Sequence, residues 1–165
     1  MSYKILFVCL GNICRSPAGE NVMNYLLQVR RLNSKISCDS AGTAGYHVGD
    51  PPDSRMITTL KKRGLPSQGA ARQFSYQDFN DFDLILAMDF SNYKDILSLD
   101  YQEKYRNKVK LICEFSRNHS LKEVPDPYYG GNKGFEKVVD LLLDSCQGLL
   151  DHIENELNLS TIELE

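Results

Sequence analysis

Residues 4–9 read KILFVC and residues 9–17 read CLGNICRSP; these two overlapping segments decide the fold. The first is a short, continuously apolar run, which is typical of a strand that is buried on both faces. The second is a loop that leads into a helix at Ser16-Pro17, because serine is a favoured N-cap and proline is well tolerated at the first helical position. A buried strand, a tight loop and a helix in succession predict the start of a βαβ unit.

The same alternation of strands and helices continues along the chain. Further strands are predicted at residues 36–40, 83–87 and 109–112. Helices are predicted from Ser16 to about Arg31, from an Asp53 cap to Gly64, from an Asp89 cap through Leu97, and over 135–157, where apolar residues recur every three or four positions. This order predicts an α/β fold with a mostly parallel sheet and helices on both faces, in which ligands bind at the carboxyl ends of strands.

No repeat or linker divides the 165 residues, so we predict a single domain over residues 1–157 and a disordered tail at 158–165. The net charge of −3 is too mild to bring the chain to nucleic acid or to an anionic membrane. The longest apolar run spans only residues 5–10, far short of the roughly 20 residues of a spanning helix. We therefore expect neither nucleic-acid nor membrane partners.

The five cysteines stand at positions 9, 14, 38, 113 and 146, with no Cys-x2-Cys pair among them. An odd number without such pairs favours neither a closed disulfide framework nor a structural zinc site. The pattern predicts a reduced, cytoplasmic chain, in which a special cysteine would be special because it is reactive.

The loop at 9–16, here called the phosphate loop, carries the groups that an anion needs. Its amides can form a nest of donors, because Gly11 and Asn12 both tolerate positive φ, and the following helix points its N-terminus at the same space. Arg15 can clamp two phosphate oxygens. The same field favours the thiolate form of Cys9, to which Ser16 can donate a hydrogen bond. A thiolate inside a phosphate cradle predicts phosphoryl transfer through a cysteinyl-phosphate.

Over about residues 3–157 the chain resembles the low-molecular-weight protein tyrosine phosphatase family. The resemblance rests on the phosphate loop together with DSAGT at 39–43, AMD at 87–89 and DPYYGG at 126–131. The resemblance implies a flavodoxin-like three-layer fold with a four-stranded parallel sheet. It also implies hydrolysis of phosphotyrosine proteins and small aryl phosphates without metal or cofactor. Cys9 acting as a thiolate together with Asp126 acting as an acid predicts the highest activity at mildly acidic pH. Inorganic phosphate is then the product and an inhibitor, and we expect a monomer.

The resemblance also implies roles for individual residues. Asp126, whose direction the flanking prolines restrict, is the general acid and then the general base. The residues that bind phosphate or support the loop are Leu10, Gly11, Asn12, Ile13, Cys14, Ser16 and Ser40. The aromatic walls of the substrate pocket are Tyr46, His47, Tyr128 and Tyr129, joined by Leu10 and Ile13. Many relatives carry a histidine just before the ARQ segment, where this chain has Gly69, so bracing of the loop by that histidine is in doubt.

Cys14 has chemistry of its own. On oxidation it could close a disulfide with Cys9 and shield the nucleophile from irreversible over-oxidation. The alternative is that Cys14 is simply a packed small side chain. Whether a kinase phosphorylates Tyr128 or Tyr129 is left open by the sequence.

Four other functions fit parts of the pattern. An arsenate reductase on this fold needs two further cysteines near 87–89, and the chain has none between Cys38 and Cys113. An arginine phosphatase tends to carry threonine where Ile13 stands. A non-catalytic phosphate-binding module would have lost Cys9 or Asp126, and both are present. A pure thiol-redox protein would have the Cys-x-x-Cys spacing, which differs from that of Cys9 and Cys14.

Overall fold

A computed structural model describes residues 2–159. Across them the chain forms one sheet of four strands, in which every paired strand runs parallel and the order is β2-β1-β3-β4. The elements are β1 (Tyr3–Cys9), α1 (Arg15–Val29), β2 (Ile36–Gly42), α2 (Ser54–Lys62), α3 (Asp78–Asp81), β3 (Leu84–Ala87), α4 (Phe90–Ser98), β4 (Val109–Leu111) and α5 (Asn132–Glu156). This architecture confirms the predicted flavodoxin-like parallel sheet.

Strand β1 is buried on both faces over residues 5–9, and this explains why those five residues are all apolar. Ile5 and Phe7 face a core formed with α1, α2 and α5, whereas Leu6 and Val8 face a second core that includes Phe79. Burial on both faces removes any reason for alternation with polar residues.

The strand order places the functional end of the sheet. From β1 the chain pairs β2 on one side and then crosses to pair β3 on the other, so the order reverses at β1. Ligands of such sheets bind in the crevice at the carboxyl end of the strand where the order reverses. Cys9, the last residue of β1, stands at that point.

Helix α1 starts differently from the prediction. It begins at Arg15 with Cys14 in the N-cap position, so Ser16 is not the cap and Pro17 is the third helical residue. The Ser16 hydroxyl is engaged elsewhere, by Cys9 and Asn12. The Asp53 and Asp89 caps are confirmed, because their carboxylates accept hydrogen bonds from the N–H groups of Arg55 and Asn92.

Other boundaries also differ. β2 extends to Gly42 because it pairs with β1 along the whole length of that strand. The four-residue helix α3 was not predicted, since one turn is too short to show a hydrophobic period. Of the predicted tail, residues 160–165 lie outside the described residues, while the Leu159 N–H donates to the Glu154 carbonyl and its side chain packs against the core.

Helix α5 contains a glycine where no side chain fits. A β-carbon on Gly148 would overlap the carbonyl oxygen of Phe115, in the short 3-10 turn 112–115 against which α5 packs. We expect Gly148→Ala to lower the free energy of unfolding by about 3 kcal/mol, at the upper end of the usual overpacking cost. Urea denaturation measures this. Lys137→Ala, on the exposed side of the same helix, is the control and leaves stability almost unchanged; equal stability of both variants would contradict the close packing.

Candidate active site

The phosphate loop turns its carbonyl groups outward and keeps its amides for a ligand. The carbonyls of Cys9, Leu10 and Ile13 accept hydrogen bonds from the backbone N–H groups of later segments. Within residues 2–159, the amides of residues 11–14 donate to no protein acceptor. A row of unused amides at the start of a helix is a ready anion site.

Asn12 takes the left-handed conformation that the tight loop requires, with φ of 58°. Gly11 does not share it, so the prediction of positive φ is correct for Asn12 and wrong for Gly11. What Gly11 provides is room: a β-carbon there would lie 3.1 Å from the His47 ring. Glycine thus allows one wall of the pocket to close over the loop.

Asn12 is only 2% exposed, and both polar atoms of its side-chain amide form hydrogen bonds. Its Nδ2 donates to Ser16 Oγ at 2.8 Å and to Ser40 Oγ at 3.0 Å, while its Oδ1 accepts from the Arg72 N–H at 3.0 Å. These bonds fix a strained backbone without any histidine. The predicted bracing roles of Asn12 and Ser40 therefore have a geometric basis in contacts that do not need a side chain at Gly69.

Cys9 lies at the bottom of the loop, 3% exposed. Its Sγ is 3.0 Å from Ser16 Oγ, in reach of a hydrogen bond from that hydroxyl to a thiolate. The helix that begins at Arg15 and the free amides of the loop surround the sulfur with positive potential. Such surroundings stabilise an anion that binds in the loop.

Arg15 is buried with carboxylates on two sides. One terminal nitrogen is 2.5 Å from Asp89 Oδ2 and 3.1 Å from the Val124 carbonyl, and the other is 3.7 Å from Asp126 Oδ2. Burial alone would lower the pKa of Arg15, but the charges of Cys9, Asp89 and Asp126 and the bond to Asp89 raise it. The guanidinium is thus a fixed, permanent cation beside the sulfur.

Asp126 reaches the same pocket from the loop after β4. Its carboxylate is 40% exposed, and one oxygen accepts a hydrogen bond from the Tyr128 N–H at 3.0 Å. The pocket has a volume of about 220 Å³, and most of the predicted site residues line it: Cys9, Leu10, Gly11, Ile13, Cys14, Arg15, Tyr46, His47, Asp126, Tyr128 and Tyr129. Asn12, Ser16 and Ser40 do not line the pocket.

The pocket walls are aromatic and largely exposed. Tyr46 is 77% and Tyr129 94% exposed, Tyr128 lies at the rim with its ring 5.0 Å from that of Tyr129, and His47 is 6.5 Å from Tyr128. Large apolar rings that are held open to solvent are available to a ligand rather than to the core.

A guanidinium behind the pocket was missed by the sequence interpretation. Arg55 lies 5.4 Å from the Tyr128 ring and 4.7 Å from the Phe135 ring, within cation–π range, and it forms an ion pair with Asp53. Because the Asp53 N–H donates to the Ile13 carbonyl, this pair joins the wall to the phosphate loop. Arg55 is far from the phosphate loop in the sequence, so no local pattern predicts its position behind the pocket.

Comparison with known proteins agrees with this geometry. The sequence model of the low molecular weight phosphotyrosine protein phosphatases matches residues 4–159. The chain belongs to this family. A Synechocystis protein that carries a low molecular weight protein-tyrosine-phosphatase name is 58% identical, over 93% of this chain and 98% of its own. The low molecular weight protein-tyrosine-phosphatase YfkJ of Bacillus subtilis is 42% identical, over 94% and 99%.

Among solved structures, a protein tyrosine phosphatase from Entamoeba histolytica, with Hepes in its active site, superposes with a TM-score of 0.89 at 45% identity, covering 94% of this chain and 99% of that one. These relatives confirm the predicted family and enzyme class, a protein tyrosine phosphatase. For this phosphatase chain, the described residues contain no group of three or more His, Cys, Asp or Glu side chains that could hold a metal ion. None of its helices within 2–159 is long and apolar enough to span a membrane.

Proposed function

We propose that this phosphatase hydrolyses phosphotyrosine through a cysteinyl-phosphate formed on Cys9, with Arg15 and the loop amides binding the phosphoryl group and Asp126 moving the proton. The observation that carries the proposal is the convergence of a buried thiol, a buried guanidinium and an accessible carboxyl group on one pocket lined with aromatic rings.

The first step forms a sulfur–phosphorus bond. The Cys9 thiolate attacks phosphorus while the bond from phosphorus to the tyrosyl oxygen breaks, and the Asp126 carboxylic acid gives its proton to that oxygen. Arg15 and the amides of residues 11–14 face the phosphoryl oxygens, on which the transition-state charge is spread. Tyrosine leaves as the neutral phenol.

The second step returns the enzyme. Asp126, now a carboxylate, takes a proton from a water molecule whose oxygen attacks phosphorus, and the sulfur–phosphorus bond breaks to give back the thiolate. The product is inorganic phosphate, held by the same donors, so it competes with substrate. The cycle thus begins and ends with Cys9 as the nucleophile and Asp126 as the proton donor.

The walls support an aryl phosphate as substrate. A phosphoryl group on the loop must carry its ester past Tyr46, His47 and Tyr128, whose faces fit an aromatic ring and give little to the short side chain of serine. Ile13 lines the pocket as an apolar group, in line with an aryl ring rather than a guanidinium. We therefore place phosphotyrosine proteins and small aryl phosphates ahead of phosphoserine and phosphoarginine.

We extend the proposal to the organisation and location of the chain. Residues 1–157 act as one phosphatase domain, the chain works as a monomer, and its cytoplasmic location remains a prediction from cysteine spacing. Cys14 is a buried residue of the phosphate loop, and burial raises the pKa of its thiol to about 12, with the Asp53 carboxylate adding to the effect. Cys14 thus stays a thiol while Cys9 reacts; after a peroxide has oxidised Cys9 to the sulfenic acid, Cys14 condenses with it to a disulfide and water is released.

Turnover of phosphotyrosine, phosphoserine and phosphoarginine peptides in the presence of a chelator tests the proposal. We expect fast hydrolysis of the first alone. Preference for phosphoarginine would keep the mechanism and change the substrate class, and phosphate binding without any turnover would contradict the catalytic roles.

Replacing Asp126 with asparagine should reduce kcat for phosphotyrosine about 10²- to 10⁴-fold, because the leaving phenoxide then receives no proton. For p-nitrophenyl phosphate, an aryl phosphate with a good leaving group, the rate of cysteinyl-phosphate formation should fall much less, since that leaving group needs no proton. Single-turnover kinetics measure the two substrates side by side. Asp95→Asn, at an exposed carboxylate of α4 outside the pocket, is the matched control and should leave both rates unchanged. Equal losses for both leaving groups would rule out Asp126 as the acid.

A further inference from the structure

Two chains of hydrogen bonds, here called the arms, start at the side-chain amide of Asn12. In one, Nδ2 donates to Ser16 Oγ at 2.8 Å, and that oxygen lies 3.0 Å from Cys9 Sγ. In the other, Nδ2 donates to Ser40 Oγ at 3.0 Å, and the Ser40 hydroxyl donates to Glu20 Oε1 at 2.7 Å. In the Ser40 arm the donors run outward from Asn12. In the Ser16 arm either Ser16 Oγ or Cys9 Sγ can donate to the other, and the Ser16 hydroxyl also has the Ala41 carbonyl as an acceptor at 3.3 Å. The two arms therefore end on two groups that can become anions, the nucleophile and a glutamate that the mechanism does not use.

Glu20 lies on α1, partly buried against β2. Burial raises the pKa of its carboxyl group to about 7; the hydrogen bond from Ser40 and the charge of Arg72 oppose the shift, and the charge of Asp39 adds to it. Arg72 is itself shared between Asp39 and Asp78, with which it makes three hydrogen bonds of 3.0–3.2 Å.

The remaining ionisable neighbour of Glu20 is Cys38, on β2. Its thiol donates to the Glu20 backbone carbonyl, and burial raises its pKa so far that it stays neutral. Near neutral pH the group that changes charge at this end of the arms is accordingly Glu20.

We propose that Glu20 is a positioning residue that makes anion binding in the phosphate loop depend on pH, acting through Ser40 and Asn12. The neutral acid still accepts from Ser40, so the arms stay intact. The ionised carboxylate draws the Ser40 and Asn12 donors toward itself. It also places an additional negative charge near a loop that already holds the Cys9 thiolate and a dianionic phosphoryl group, so it repels them. The inference rests on the proposed function of the loop.

The direction in which anion affinity changes with pH follows from the linkage between Glu20 ionisation and anion binding. Below about pH 7 Glu20 is neutral and the loop binds anions at full strength; as pH rises through 7 the carboxylate forms and affinity falls. Reciprocally, a bound anion must raise the pKa of Glu20.

The test uses sulfate, whose charge is constant from pH 5.5 to 8.5, and Cys9→Ser protein, in which no thiolate titrates at the site. We expect the dissociation constant of sulfate, measured by calorimetry, to rise about three- to tenfold between pH 6 and pH 8. Glu20→Gln in the same protein should remove most of that rise, because the isosteric amide keeps the bond from Ser40 and never ionises. Asp39→Asn removes a neighbouring charge outside the arms and should retain most of it.

An unchanged pH dependence in Glu20→Gln would overturn the inference. A second measurement works without that variant: the NMR titration of the Glu20 carboxyl carbon in Cys9→Ser, with and without saturating sulfate. Sulfate should move the midpoint upward, and a fixed midpoint would also overturn the inference. Because both readouts measure binding, they stand apart from turnover. A chain that fails to hydrolyse phosphotyrosine would refute the proposed function and leave these results to decide about Glu20.

Discussion

Replacing Cys9 with serine lowers phosphotyrosine turnover about 10⁵-fold or more while phosphate binding persists. The hydroxyl is far less acidic than the thiol, and the described loop offers it no base: its neighbour is Ser16 Oγ, at 3.0 Å from the sulfur. The anion site survives, because the loop amides and Arg15 are untouched. Steady-state kinetics with a phosphotyrosine peptide measure the first effect, and calorimetry with inorganic phosphate measures the second.

Cys38→Ser is the matched control for this change. Cys38 is a partly exposed cysteine of β2 whose thiol bonds to Asn24 and to the Glu20 carbonyl, outside the pocket. It should retain turnover within a few-fold of the parent. Turnover by Cys9→Ser above about one per cent of the parent would show that another group, or water directly, attacks phosphorus.

The second large effect is expected from Arg15→Lys. We expect kcat/KM to fall about 10³- to 10⁵-fold, the range for a charge that stabilises a phosphoryl transition state. Lysine keeps the positive charge but presents a single point donor. It cannot bond Asp89 and Val124 with one nitrogen while a second faces the phosphoryl oxygens. Inhibition by inorganic phosphate should weaken in the same variant.

Arg63→Lys controls for the substitution itself, because Arg63 forms surface ion pairs with Glu136 and Asp140, away from the pocket. It should leave kinetics unchanged. The free energy of unfolding of both variants separates a loss of chemistry from a loss of fold. A folded Arg15→Lys protein with kcat/KM within tenfold of the parent would contradict the bidentate role.

The sequence was informative wherever function is local in the chain. Residues 5–9 have no polar position because both faces of β1 are covered there, and a run of this kind is visible without tertiary information. Cys9, Asn12, Arg15 and Ser16 were found for a similar reason, since one loop and the first turn of α1 hold them all. Asp126 needed the family resemblance, because an aspartate between prolines is by itself more typical of a turn.

What could not be predicted depends on partners distant in sequence. Ser16 has the residue type of a cap, and only the position of Cys9 shows why its hydroxyl turns inward. Asp89 was correctly predicted as a cap, yet its ion pair with Arg15 joins residues 74 positions apart. Glu20 carries no local signal in the sequence, and its hydrogen bond from Ser40 of β2 is what distinguishes it from other helical charges. Local sequence pattern identifies the residues that react, whereas the residues that position them are recognised only from tertiary contacts.

The central claim is the covalent intermediate on Cys9, and trapping it is the most direct test. Asp126→Asn protein is mixed with p-nitrophenyl phosphate, quenched in acid within milliseconds, digested and examined by mass spectrometry. The good leaving group lets the first step proceed, while the missing base slows attack by water, so the intermediate accumulates. We predict one phosphoryl group on the peptide that carries Cys9, located on the Cys9 sulfur. Released p-nitrophenol with no phosphoryl group on Cys9, or with the group on Cys14, would contradict the account.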